Sequence, residues 1–163
     1  MKNKNLVKNV FTIIFSALLI LPTFVAWISV TAKNKLTSSS EGIFFGDLSE
    51  KILEFTESGW AYQASEIIFW IAFSIAMLLI VLSIMSILLP KMGLLRLLIK
   101  VAGLALIFAS IAAFAGATIW CIANSSSNET LSSSISYYPL WGSAITLVAG
   151  LLGGAFALSL KKK

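Results

Sequence analysis

A chain of 163 residues with 58% hydrophobic residues, 12% charged residues and a mean hydropathy of +0.94 has too little polar material to clothe a water-soluble domain of this size. The net charge of +5 does not indicate a nucleic-acid partner, because the basic residues fall in short clusters beside apolar runs. Histidine is absent and cysteine occurs once, which excludes an intrachain disulfide and a Cys/His zinc site.

The chain opens MKNKNLVK and runs into a first apolar stretch, about 7–30, long enough to cross a bilayer as helix. Pro22 interrupts this stretch, as a kinked span tolerates. The basic start and the tripeptide VTA at 30–32 also permit a signal-peptide reading, although the apolar run is long for one. Further spans are predicted over about 67–89, 101–123 and 140–160, leaving outer loops of about 31–66 and 124–139. No room is left for a second domain.

The first outer loop begins KNKLTSSSEG, which reads as polar and flexible. Six of the seven acids then fall between Glu41 and Glu66. Asp47, with Glu50 three residues on, has the pattern of an N-cap and its capping partner. On a helix Leu48, Ile52, Phe55, Gly59 and Tyr62 form one face, and Asp47, Glu50, Glu54 and Glu57 form another. The sequence therefore predicts an amphipathic helix with an acidic ridge. That ridge is either a recognition surface for a basic partner or a solvated face, and solvated stripes of this kind are ordinary. A calcium site is discounted because a regular helix spreads its carboxylates outward, whereas such sites gather oxygens on a loop.

The link KMGLLRLLIK between the second and third spans is short and makes them an antiparallel hairpin. In the third span Ala102, Ala105, Ala109, Ala112 and Gly116 recur at helical spacing. In the fourth, Gly142, Thr146, Gly150 and Gly154 recur every four residues. Small-residue stripes let helix backbones approach closely in lipid. They serve either dimerisation or packing of the third span on the fourth, and the second is expected because one chain supplies both stripes. Between these spans the loop NSSSNETLSSSISYYP is read as irregular; its Asn124 and Asn128 match glycosylation acceptors, as a Ser-rich loop does by chance. Cys121 reads as a small packing residue.

Lys2, Lys4 and Lys8, then Lys91, Arg96 and Lys100, then Lys161, Lys162 and Lys163 mark one side of the membrane as cytoplasmic, with both termini on it. All five tryptophans and all three tyrosines fall at or beyond the opposite ends of the spans, where amphipathic rings favour the headgroup level. Within the spans there is no ionisable residue deep enough for a proton relay or ion pair, no phosphate loop and no nucleophile with a base. Catalysis is not expected, nor is a cofactor or metal.

A third span ending in Trp120, Trp141-Gly142 opening a fourth span that contains Gly153-Gly154, QAS at 63–65 and an isolated Gly59-Trp60 together resemble the claudin and peripheral-myelin-protein class of tetraspan proteins. The resemblance implies four spans with both ends inside and a small sheet in the first outer loop. This loop reads as helical and lacks the paired cysteines of that class. No functional residue is carried over.

The sequence thus predicts an all-α membrane protein: a four-transmembrane-helix bundle with an extracytoplasmic amphipathic helix between spans one and two, placed in the plasma membrane. The expected function is non-enzymatic, a scaffold or accessory subunit that contacts another membrane protein or further copies of itself, with lipid as its solvent. The alternative is a transporter or channel component whose pathway forms on oligomerisation. Partner contacts are expected at Asp47, Glu50, Glu54 and Glu57, and helix contacts at Ala105, Ala109, Ala112, Gly116, Gly142, Thr146, Gly150 and Gly154.

Overall fold

A computed structural model describes residues 2–33, 38–43, 59–90, 92–128 and 133–160. Helix α1 (Lys2–Ala17) tightens into a 3-10 segment (Leu18–Thr23) and leads into strands β1 (Ile28–Lys33) and β2 (Ser38–Ile43). Helices α2 (Gly59–Leu88) and α3 (Gly93–Asn124) follow, then β3 (Ser126–Asn128), β4 (Ser133–Pro139) and α4 (Trp141–Leu158). Four helical stretches, Asn5–Thr23, Gln63–Leu88, Gly93–Asn124 and Trp141–Leu158, are long and apolar enough to cross a membrane.

The chain's three prolines stand at helix boundaries. Pro22 lies in the 3-10 segment, where its missing N–H and fixed φ suit a tightened last turn. Pro90 follows the end of α2, and Pro139 ends β4 just before α4. The first span therefore stops at Thr23 and does not continue to residue 30 as expected. From Ile28 the alternation Ile-Ser-Val-Thr-Ala-Lys has period two and forms a strand.

The helices form an antiparallel four-helix bundle in which α1 packs on α2 and α4, and α3 packs on the same two from the far side. The start of α1 and the end of α4 lie at one end of the bundle, where Lys8 meets the Ser159 carbonyl. At the other, a four-stranded antiparallel sheet of order β2-β1-β4-β3 draws two strands from each loop. β1 pairs with β2 from Ile28↔Ile43 to Lys33↔Ser38, and with β4 from Ile28↔Pro139 to Lys33↔Ser134. The all-α expectation is corrected here, and among the described residues Lys33 and Ser38–Gly42 of the stretch read as flexible, and Ser126–Asn128 and Ser133–Pro139 of the loop read as irregular, are strand. β2 pairs only with the neighbouring β1 and β3 only with the neighbouring β4, and the one pairing between segments distant in sequence, β1 with β4, joins the two hairpins into a sheet, which local composition does not reveal.

Sheet and bundle share one core. Ile28, Trp27 and Trp120 are buried with Phe69, and Tyr137 packs against them. The Trp27 ring meets Phe69 edge-on at 5.0 Å, and the Trp120 ring meets Tyr137 edge-on at 5.0 Å. Trp70 and Trp141 are exposed, Trp141 to 72%, and suit an interfacial belt. The tryptophans therefore divide: two anchor the sheet from inside, while these two face outward.

Candidate interaction surface and polar interior

The predicted ridge of Asp47, Glu50, Glu54 and Glu57 lies outside the described residues. Gly59 and Tyr62, expected on that helix's apolar face, fall in the first turn of α2.

The stripe residues are placed as follows. Ala105, Ala109 and Gly116 are half-buried and Ala112 is exposed, while the buried line on α3 runs through Gly103, Leu106, Ser110, Ala113 and Ala117. On α4, Gly142, Thr146, Gly150 and Gly154 are all buried. Gly150 backs onto Ser110, and a β-carbon on Gly154 would lie 2.5 Å from the Gly103 carbonyl oxygen. Gly142 backs onto the Trp27 ring, and Gly116 faces Ser65 of α2. Ser65 Oγ donates across that interface to the Ala113 carbonyl at 2.7 Å. The nearest α3 atoms to Gly150 and Gly154 thus belong to Gly103, Leu106, Ile107 and Ser110. A rise of one residue turns a helix by about 100°, so a stripe read one residue away faces a different neighbour.

The sheet is held to the bundle by hydrogen bonds at its root. Leu140 N donates to Trp27 O at 2.8 Å, and Gly142 N donates to Ala26 O at 3.1 Å. Trp27 Nε1 donates to the Pro22 carbonyl at 2.8 Å, meeting an acceptor in the tightened turn. At the end of α3, Asn124 Nδ2 donates to Trp120 O at 2.8 Å and Ser125 Oγ donates to Cys121 O at 2.9 Å. The Tyr137 amide then donates to Ser125 Oγ, which ties β4 to that helix end. The Asn124 amide nitrogen, the atom a glycan would occupy, is engaged in this cap. Cys121 is buried, as a packing residue.

Strand alternation places Ile28, Val30 and Tyr137 on the face toward the bundle and Ser29, Thr31, Ser40, Ser136 and Tyr138 on the opposite face. Ser29 and Ser40 hydroxyls lie 3.1 Å apart and Thr31 Oγ1 reaches Ser40 Oγ at 3.4 Å. These residues make a hydroxyl-bearing platform with Tyr138 standing exposed on it. Platforms of this kind recognise by hydrogen bond and aromatic contact.

At the end carrying the termini, basic side chains complete helix ends. Lys8 Nζ donates to the Ser159 carbonyl at the close of α4, and the Arg96 guanidinium donates to Pro90 O beyond α2. Cations at helix C-termini satisfy orphan carbonyls and complement the dipole.

α1 is built inside out relative to a soluble helix. Its buried positions include Asn9, Thr12 and Ser16, and its exposed positions include Leu6, Val7, Val10, Phe11 and Ile14. Asn9 Nδ2 donates to Ser86 Oγ of α2 at 3.3 Å. These residues are neutral and so lack the charge that marks a polar site within a span. The signal that finds them is periodicity, since Asn9, Thr12 and Ser16 share one helical face. Between the 3-10 segment and α4 lies an apolar groove of about 320 Å³ lined by Phe15, Leu18, Leu21, Trp141, Ile145 and Val148, among others.

Among the described residues no three His, Cys, Asp or Glu side chains are grouped so as to hold a metal ion. No protein-family model and no curated protein matches the chain.

Proposed function

We propose that this chain is a non-enzymatic, multi-pass plasma-membrane protein that acts as a scaffold or accessory subunit of a membrane complex. Its sheet end lies outside the cell and both termini lie in the cytoplasm. The observation that carries the reading is the hydroxyl-bearing sheet face, braced on the bundle through Trp27 and Trp120. A small sheet fixed to a tetraspan bundle gives a rigid platform beside the membrane, and rigid platforms lose little entropy on binding. The cytoplasmic assignment rests on the basic clusters at the opposite end. The resemblance to the claudin and peripheral-myelin-protein class belongs to the same proposal, and a sheet at the loop end of the bundle supports it.

Purification of the full chain in mild detergent tests the reading. A stoichiometric membrane-protein partner that is lost on Ser40→Arg or Ser136→Arg supports it. A homo-oligomer with a wet central pathway supports the transporter or channel component instead. Neutralising Asp47, Glu50, Glu54 and Glu57 together measures the ridge separately, and unchanged partner recovery removes the ridge from the interface.

A further inference from the structure

The seam between α1 and α2 near the termini is not used by the scaffold role. Asn9 and Ser86 are joined through Nδ2 and Oγ. Thr12 stands one turn along α1 and Ser83 one turn back along α2, so in antiparallel helices they make a second rung beside the first. All four side chains are more than nine-tenths buried. Asn9 Oδ1 and Ser83 Oγ have no hydrogen-bond partner, and neither has Ser16 Oγ, one turn beyond Thr12. Bonding back to the helix does not account for them. Thr12, Ser74, Thr118 and Thr146 each donate to the carbonyl four residues earlier, whereas Ser16 and Ser83 do not.

We propose that this seam is a buried water site, with water held by Asn9 Oδ1 and Ser83 Oγ. A water molecule donates to the amide oxygen and accepts from the serine hydroxyl, and it bridges rungs spaced by one helical turn, about 5 Å. An apolar ligand would leave both oxygens unpaired. A bare cation fits less well, because the seam's described side chains offer neutral oxygens and no carboxylate to offset its lost hydration.

X-ray hydroxyl-radical footprinting of the full chain in lipid nanodiscs tests the site, since radicals born from an internal water oxidise the side chains beside it. Leu79 stands one turn before Ser83 on α2 and is 0% exposed, Leu82 adjoins it and is 9% exposed, and Leu19 and Leu106, both 0% exposed, are references that stand one turn from the Ser16 and Ser110 hydroxyls instead. Leu79 and Leu82 are expected to oxidise several-fold faster than Leu19 and Leu106, and Ser83→Ala is expected to bring them down to the same rate. Equal rates at all four leucines in the unmodified protein overturn the proposal. So does an excess at Leu79 and Leu82 that survives combined Asn9→Leu and Ser83→Ala replacement. The unmodified chain decides by itself, so a variant that fails to fold leaves the test standing.

Discussion

Gly150 of α4 lies so close to Ser110 of α3 that a β-carbon on the glycine would overlap the serine Oγ and Cβ. The Ser110 side chain fills the space that the missing side chain of Gly150 leaves between the two helices. Gly150→Ala should therefore destabilise the bundle by about 1–3 kcal/mol, the usual cost of overpacking. Ser110→Gly in the same molecule should recover most of that loss, because the overlapping atoms are gone. Unfolding midpoints of the single and double variants in mild detergent measure the coupling.

One turn further along α4 the obstacle is backbone. A β-carbon on Gly154 would meet the Gly103 carbonyl oxygen and Ile107 Cγ1, each at 2.5 Å. A carbonyl held in a helix cannot swing aside, so Gly154→Ala should cost more than Gly150→Ala. Gly93 has nothing within 4 Å of an added β-carbon, and Gly93→Ala should be neutral or stabilise by up to about 1 kcal/mol. A reversed order of these three variants on one thermal-unfolding assay would contradict the packing described.

Trp27 links the sheet to the turn that ends the first span. Trp27→Phe keeps a ring against Phe69 but strips the Pro22 carbonyl of its donor, at an expected cost of about 1–3 kcal/mol. The loss should fall on the sheet first, so limited proteolysis should cut the region of β1 and β2 before α2–α4 unfold.

Orientation can be read with thiol reagents. The native Cys121 is buried, 1% exposed, and should stay silent toward a membrane-impermeant maleimide. A cysteine placed at Ser40 or Ser136 of the sheet should react on intact cells, and one at Gly93 only after permeabilisation. The opposite pattern would invert the proposed topology.

The four helices were legible because twenty-residue apolar runs bounded by lysine and proline have few other readings. The sheet was harder. ISVTAK at 28–33 and SISYY at 134–138 alternate with period two, yet the first was absorbed into a hydrophobic run and the second lay among serines. Ser38–Ser40 and Ser126–Ser127 carry no strand preference and pair only because β1 and β4 offer them edges. The α3 stripe was anticipated as alanines, but Gly103 and Ser110 face α4. Small size alone does not tell which of two adjacent small residues faces the neighbour.

The inverted face of α1 bears on how the molecule is made. α1 leaves the ribosome before α2, and in isolation it would present Asn9, Thr12 and Ser16 to hydrocarbon along one side. Ser86, the partner of Asn9, lies near the far end of α2 and is synthesised 77 residues later. With the membrane placement proposed above, stable residence of the first helix in the bilayer would therefore depend on a helix that does not yet exist when it arrives. Until α2 is complete, α1 would then be a client of the insertion machinery and not yet a settled span.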